Sequence, residues 1–180
     1  MTRDPSFSYV YYLFARPVAT LFFCGYSRFA PGTVGSAVTL FPIAILLFFS
    51  KPCYDIFFSN AAFLPFVFFL YLAGTFASSL YVRQAQQHDP KEIVIDETLG
   101  QLISVYIPFH ALSSVQFASV DFNAFILLTS FVLFRTFDIL KPWPVSFFDK
   151  KMHNAHGIML DDVAAGMCAG VISFLLVKVM

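Results

Sequence analysis

Apolar positions fall along this chain in blocks, and polar residues gather between them. Residues 10–24 are apolar and aromatic, but Arg16-Pro17 interrupts them, which predicts a helix lying in a membrane interface rather than crossing it. Residues 25–36 are rich in turn formers and read as a loop. The apolar run 38–49 crosses a membrane only if it takes in residues 33–37. Residues 51–60 read as a turn, and 61–82 supply the roughly twenty apolar residues that a hydrocarbon core of about 30 Å requires. Pro65 falls near the start of that run, where proline is tolerated.

Beyond the polar stretch 83–97, the apolar run 99–112 is short and contains Gln101 and Pro108. A third span therefore brings polar groups to the membrane's edge. Residues 122–140 form a fourth span, with Arg135 and Asp138 in its last turn and Pro142 to stop it. The fifth, 158–179, begins with Asp161-Asp162 and carries Ala165, Gly166, Ala169 and Gly170, small residues at four-residue spacing that let helix backbones approach closely. The expected fold is all-α and integral to a membrane. It is one compact domain over residues 1–180, a bundle of about five membrane helices, some short or re-entrant, with an interfacial helix at the N-terminus.

Composition agrees with the bilayer as solvent. The chain is 58% hydrophobic and 12% charged, against about 25% charged in an ordinary soluble domain. Its 25 phenylalanines suit lipid-facing helices. A formal net charge of zero leaves no basic excess, so no nucleic-acid partner is expected. Cys24, Cys53 and Cys168 are odd in number and too far apart for a zinc pair, and read as buried apolar residues. No cleavable signal peptide is expected, because Asp4, Pro5 and Arg16-Pro17 break up the apolar start.

Charge then sets the expected orientation. With five spans, Arg3, Arg16, Arg28, Arg83, Lys91, Arg135, Lys141, Lys150 and Lys151 share one side, and Lys51 and Lys178 fall on the other. The first side is cytoplasmic by the positive-inside rule. Among the acids only Asp55 and Asp121 fall outside. Orientation needs only the cations, so the acids beside them ask for another explanation.

Asp96-Glu97 and Asp161-Asp162 stand at the starts of two spans, where unpaired carboxylates are costly unless protonated, paired or bound to a cation. Glu97 and Gln101 share a helix face, as do Arg135 and Asp138, and Asp138 and Lys141. If these helix ends converge, oxygen ligands surround one point. Without paired Cys or clustered His, that favours a hard cation, most simply magnesium. The plainer reading makes each acid a helix N-terminal charge, worth about 0.3–1 kcal/mol, that pairs with Arg135 or Lys141. For one acid the two readings weigh equally, but two vicinal acid pairs exceed what capping needs.

The segment 30–36, APGTVGS, offers two glycines, two hydroxyls and exposed N–H groups before a helix. On its own it reads more simply as a Pro-Gly turn with a Thr or Ser cap, and it lacks the lysine of a P-loop. Arg135 and Lys141 are better phosphate candidates, with snorkelling to the interface as their alternative. His110 falls on the outer side and is incidental. His88, His153 and His156 lie in loops near the acids, and His153 is the best placed proton donor among residues that are more often merely solvated. Trp143 between two prolines reads as a headgroup-level anchor. The signatures of cysteine phosphatases and of phosphorylated-aspartate enzymes are absent, which leaves a metal-activated water as nucleophile. A rival from another class is a non-enzymatic cation or proton pathway lined by the same acids. Against it, no ionisable residue lies at the middle of a span.

The blocks APGTVGS, HDPKEIVIDETLG, FRTFDILKPWPVSFFD and GIMLDDVAAG together resemble, in order and spacing, the phosphatidylglycerophosphatase A family of bacteria, over residues 25–170. The resemblance implies a magnesium-dependent enzyme of the inner membrane that removes the terminal phosphate of phosphatidylglycerophosphate to give phosphatidylglycerol. The family's acidic pattern falls on Asp89, Asp96, Glu97, Asp138, Asp149, Asp161 and Asp162, and its basic pattern on Arg135 and Lys141. Where relatives usually have two glycines after the loop histidine, this chain has Asn154-Ala155.

The site expected on this basis has Asp96, Glu97, Asp161 and Asp162 holding magnesium, with Asp96 and Glu97 also in the catalytic group. Arg135 and Lys141 grip the phosphate with help from Thr33 and Ser36, Asp138 acts as base, and His153 donates a proton. Partners are the lipid substrate and the bilayer, with no obligate protein partner, and the site faces the cytoplasm.

Overall fold

The structure is a computed structural model that describes residues 5–87, 90–111, 120–152 and 154–179, and all regular structure among them is helical. The chain opens with α1 (Pro5–Val10), a π-helical turn (Tyr11–Ala15) and α2 (Arg16–Ala19). Pro17 lies in the first turn of α2, so Arg16-Pro17 does not break the run. Tyr11, Ala15 and Ala19 are buried in a cluster shared with Ala77 and Tyr81, while Tyr9, Tyr12 and Leu13 are exposed. This one-sided burial is what an interfacial segment requires.

Helix α3 (Pro31–Phe49) begins five residues before the expected loop ends. Ala30 takes a left-handed conformation, φ 42°, and Pro31 then supplies the fixed φ of a first helical residue. The APGTVGS segment is thus mostly helix. The expected turn at 51–60 contains α4 (Lys51–Phe57), started by Pro52, and α5 (Asn60–Ala85) follows. Helix α6 (Ile95–Ala111), α7 (Val120–Leu140), α8 (Val145–Lys151) and α9 (Ala155–Val179) complete the chain. Helix α8 lies between the expected fourth and fifth spans, where the sequence predicts no helix.

Among the described residues, α3, α5, α7 and α9 are long and apolar enough to cross a membrane, which makes the chain an all-α membrane bundle. Helix α6, the expected third span, has 17 residues and differs in kind. It buries Asp96, Thr98, Gln101 and Ser104, and it packs on α3, α5, α7 and α9. A helix carrying those polar groups cannot face lipid tails, so the apolar helices enclose it. That position explains its weak hydropathy.

The largest interface joins α6 to α9. Gly166 of α9 lies against the backbone of Gly100, and Gly170 lies against Ile107. Ala165 and Ala169 beside them are fully buried. The small residues read in the fifth span therefore make the close approach expected of them. Asn154 caps α9, its Oδ1 accepting the N–H of Gly157 at 3.0 Å. Because α9 starts at Ala155, Asp161 and Asp162 stand in its second turn, inside the helix, and the capping reading does not apply to them. Cys24 and Cys168 are half-buried and Cys53 is exposed, all free thiols, which corrects the expectation that they are buried.

Candidate active site

The starts of α3, α6 and α9, the end of α7, helix α8 and residues 90–93 meet at one end of the bundle around a cavity of about 430 Å³. Each polar side chain is aimed there by its helix register. Asp96 and Glu97 occupy the first turn of α6, where negative charge also meets the positive end of the helix. Arg135 and Asp138 lie three residues apart on the last turns of α7, and Asp161 and Asp162 on the second turn of α9.

Asp96, Glu97 and Asp162 each offer one oxygen to a group whose members all lie within 4.8 Å of one another. The Asp96 and Asp162 residues are buried and Glu97 is half-buried. Asp96 Oδ1 accepts the N–H of Glu97 at 3.0 Å, whereas Glu97 Oε2 and Asp162 Oδ2 are buried with no hydrogen-bond partner among the described residues. Buried carboxylate oxygens without donors are costly, and a cation is the ligand that satisfies them. Three carboxylates this close could together hold a metal ion.

The cations are held at the edge of this group. Arg135 Nη1 lies 2.7 Å from Asp138 Oδ2, close as an ion pair though not aligned as a hydrogen bond, and 4.0 Å from Glu97 Oε1. Its Nε is a buried donor with no partner among the described residues. Lys141 follows α7 in a left-handed conformation, φ 42°, and its Nζ donates to Asp149 of α8 at 2.5 Å and to Asp161 of α9 at 2.7 Å. Burial pulls the Lys141 ammonium down, but its bonds to Asp149 and Asp161 outweigh that and hold it above its ordinary value.

Gly32 brings α3 to the site. A Cβ there would collide with Glu97 Oε1 and come within 3.1 Å of Arg135 Nη1. Ala30, Pro31 and Gly32 form the α3 wall of the cavity, and Thr33 and Ser36 lie outside it. Ser36 is fully buried, its hydroxyl donating to the Gly32 carbonyl at 2.9 Å.

The structure thus gathers Asp96, Glu97, Asp162, Arg135, Asp138, Lys141 and Asp149, and turns Asp161 toward Lys141 rather than into the three-carboxylate group. His88, Asp89 and His153 lie outside the described residues. His156 accepts or donates at Nδ1 to the Tyr71 hydroxyl, 2.8 Å away, and His110 stacks on Tyr106 near the far end of α6. Sequence reasoning took Gly32 only as part of the 30–36 segment and Asn154 only as a departure from the family pattern, not as the contact of Glu97 and the cap of α9. The Pro-Gly pair carried the signal for the first, and an Asn before a helical run carried it for the second.

The family model for phosphatidylglycerophosphatase A matches residues 17–177. Among curated relatives, the phosphatidylglycerophosphatase A of Haemophilus influenzae is 34% identical over 81% of this chain and 77% of its own length. That of Escherichia coli is 31% identical over 88% and 81%. A putative phosphatidylinositol-3-phosphatase of Bacteroides thetaiotaomicron is 35% identical over 90% of each chain. No solved structure matches. The chain therefore belongs to the phosphatidylglycerophosphatase A family, and it is an enzyme acting on a phosphomonoester rather than an ion pathway lined by the same acids.

Proposed function

We propose that this chain hydrolyses the terminal phosphomonoester of phosphatidylglycerophosphate, releasing phosphate and phosphatidylglycerol, with magnesium as cofactor. The observation that carries the reading is the pairing of opposite needs in one cavity: two buried carboxylate oxygens without donors beside a buried guanidinium N–H without an acceptor. The oxygens suit a divalent cation and the N–H suits a phosphate oxygen.

Asp96, Glu97 and Asp162 hold the ion, with Asp161 ordering the Lys141 side. When bound, the magnesium offsets phosphoryl charge and lowers the pKa of an attacking water. Arg135 binds the phosphomonoester through Nε, and Lys141 closes on it from the α8 side. Both cations are already oriented by carboxylates, so little reorganisation accompanies binding. Asp138, tied to Arg135, accepts the proton of the attacking water. His153 is the candidate donor to the departing alcohol. At the start of α3, the N–H groups of Gly32 and Thr33 precede the helical ladder and are available to an anion, whereas Ser36 lies too far inside the helix to offer its own.

The lipid reaches the cavity from the inner leaflet of a bacterial inner membrane. Lys91, Arg135, Lys141, Lys150 and Lys151 all lie at the cavity end or its flanking loops, while Lys51 follows the far end of α3 and Lys178 lies at the far end of α9, and this asymmetry supports a cytoplasmic site.

The test is phosphate release by detergent-purified protein, supplied with phosphatidylglycerophosphate or phosphatidylinositol 3-phosphate, with magnesium and then with a chelator. Magnesium-dependent release from the glycerol lipid, well above that from the inositol lipid, is expected. Release from the inositol lipid alone would replace the substrate, and release that survives chelation would remove the metal from the reading.

A further inference from the structure

The cations of the cavity wall are unequally committed. Arg135 stands between Glu97 and Asp138, and Lys141 between Asp149 and Asp161. Lys91, the third cation on the wall, has no ion pair among the described residues. Its neighbour Glu92 does not line the cavity and lies within electrostatic reach of Tyr11 and Tyr81 on the other side.

The segment that carries Lys91 is firmly placed. Pro90 and Val94 are fully buried, and Ile93 is buried. The Ile93 N–H donates to the Pro90 carbonyl at 3.0 Å, and the Val94 N–H donates to the Ala19 carbonyl at 2.9 Å. Gly25 sits so close that a Cβ there would collide with the Glu92 carbonyl. Lys91 is therefore an exposed side chain on a fixed backbone, its four-carbon stem free to place the ammonium at the cavity's rim.

Charge decides what such a group is for. The described wall carries Asp96, Glu97, Asp138, Asp149, Asp161 and Asp162 against Lys91, Arg135 and Lys141, a formal excess of negative charge. A phosphomonoester adds nearly two negative charges at neutral pH. A lipid that also carries a phosphodiester brings one more into the same acidic mouth, where each of the two inner cations is already shared by two carboxylates.

We propose that Lys91 is a specificity-determining residue whose ammonium takes the phosphodiester of a lipid carrying two phosphates, while the phosphomonoester lies against Arg135. The inference rests on the phosphatase reading above. It gives the enzyme a reason to prefer a lipid with two phosphates over one whose headgroup is a lone phosphomonoester.

The test measures kcat and KM for phosphatidylglycerophosphate in mixed micelles, together with the inhibition constant of phosphatidic acid as a competitor. Phosphatidic acid has a phosphomonoester and no diester. Lys91→Ala is expected to raise KM for the two-phosphate lipid about tenfold, the scale of one charge-assisted hydrogen bond. The change in kcat is expected to be far smaller, the phosphatidic acid constant is expected to stay within twofold, and Lys91→Arg is expected to restore KM. An unchanged KM overturns the proposal. So does an equal shift for both lipids, which would mark Lys91 as a general attractor of anionic micelles. Wild-type protein that releases no phosphate from phosphatidylglycerophosphate would overturn the substrate reading first, and the role of Lys91 with it.

Discussion

Gly166 of α9 lies against Gly100 of α6 so closely that a Cβ on Gly166 would stand 2.9 Å from the Gly100 carbonyl carbon, and one on Gly100 would stand 2.6 Å from the Asp162 carbonyl oxygen. Both helices start at the cavity end of the bundle and run in the same direction. Glu97 is three residues before Gly100 and Asp162 is four before Gly166, so the backbone contact sets their carboxylates side by side. The acid cluster is a consequence of helix packing one turn below it.

Gly166→Ala is therefore expected to harm both stability and chemistry. The obstructing atoms are backbone, so no side-chain rotation relieves them, and overpacking of this kind costs about 1–3 kcal/mol. A thermal melt in detergent should show a clear drop, with activity falling further because the three carboxylates separate. Val171→Ala, on the exposed side of the same helix, is the control and should melt close to wild type. A Gly166→Ala protein with wild-type melting and turnover would show that the contact is not needed.

The spans that face lipid were legible because their apolar runs are long enough to cross a membrane, and the small-residue stripe of α9 was legible because its spacing has one mechanical use. Helix α6 was harder. Its buried Asp96, Gln101 and Ser104 lower its hydropathy, and hydropathy reports contact with lipid rather than contact with other helices. The short helices α4 and α8 were missed because seven residues do not establish a period. In the site, residue types were readable but partners were not. Asp161 and Asp162 are adjacent in sequence, yet one pairs with Lys141 and the other joins Asp96 and Glu97. Neighbouring residues on a helix point about 100° apart, and only packing decides what each direction meets.

Glu97→Gln and Asp162→Asn separate the ion site from the fold. Each removes one negative charge from a buried group of three, so the metal-free variant should melt at or above the wild-type temperature. Wild type should gain stability with added magnesium, by about 2.7 kcal/mol at a hundred times the dissociation constant. The variants should show little of that gain and no turnover. A magnesium-induced melting shift as large as wild type in either variant would remove that residue from the ion site.

Gly32→Ala tests the approach of α3. The added methyl meets the Glu97 carboxylate and the Arg135 guanidinium, both of which are movable side chains, so the helix itself can stay in place. The expected outcome is a melting temperature close to wild type with turnover reduced at least about tenfold, because misplacement of a reacting group by about 1 Å costs up to a hundredfold. Gly35→Ala, one turn on and against Val94, is the comparison. Its added methyl would stand 3.0 Å from the Val94 side chain, tighter than ordinary van der Waals contact, so Val94 must give way and the effect should appear in the melt rather than in the rate.

Lys141 joins three helices, and burial predicts that its two ion pairs are unequal. Its partner on α9, Asp161, has a side chain 9% exposed, and its partner on α8, Asp149, has one 39% exposed. The Asp149 pair lies near solvent, where screening holds such pairs to about 0–1 kcal/mol. Removing Lys141 leaves Asp161 as an unpaired buried carboxylate, a change that costs about 3–5 kcal/mol in full burial and less here because Lys141 is itself 30% exposed. In double-mutant cycles read by thermal or denaturant unfolding, Lys141→Met with Asp161→Asn should therefore show the larger coupling, and Lys141→Met with Asp149→Asn a coupling below about 1 kcal/mol. The sign of the pH dependence follows from the same pairs. The folded-state value of Lys141 is raised, so its contribution is complete at neutral pH and is lost only as pH climbs through that raised value. The stabilisation that Lys141 supplies should accordingly fall only in strongly alkaline solution, as unfolding followed with rising pH would read. Equal couplings for the two partners, or a larger one for Asp149, would mean that the shorter Lys141–Asp149 contact outweighs the burial of Asp161.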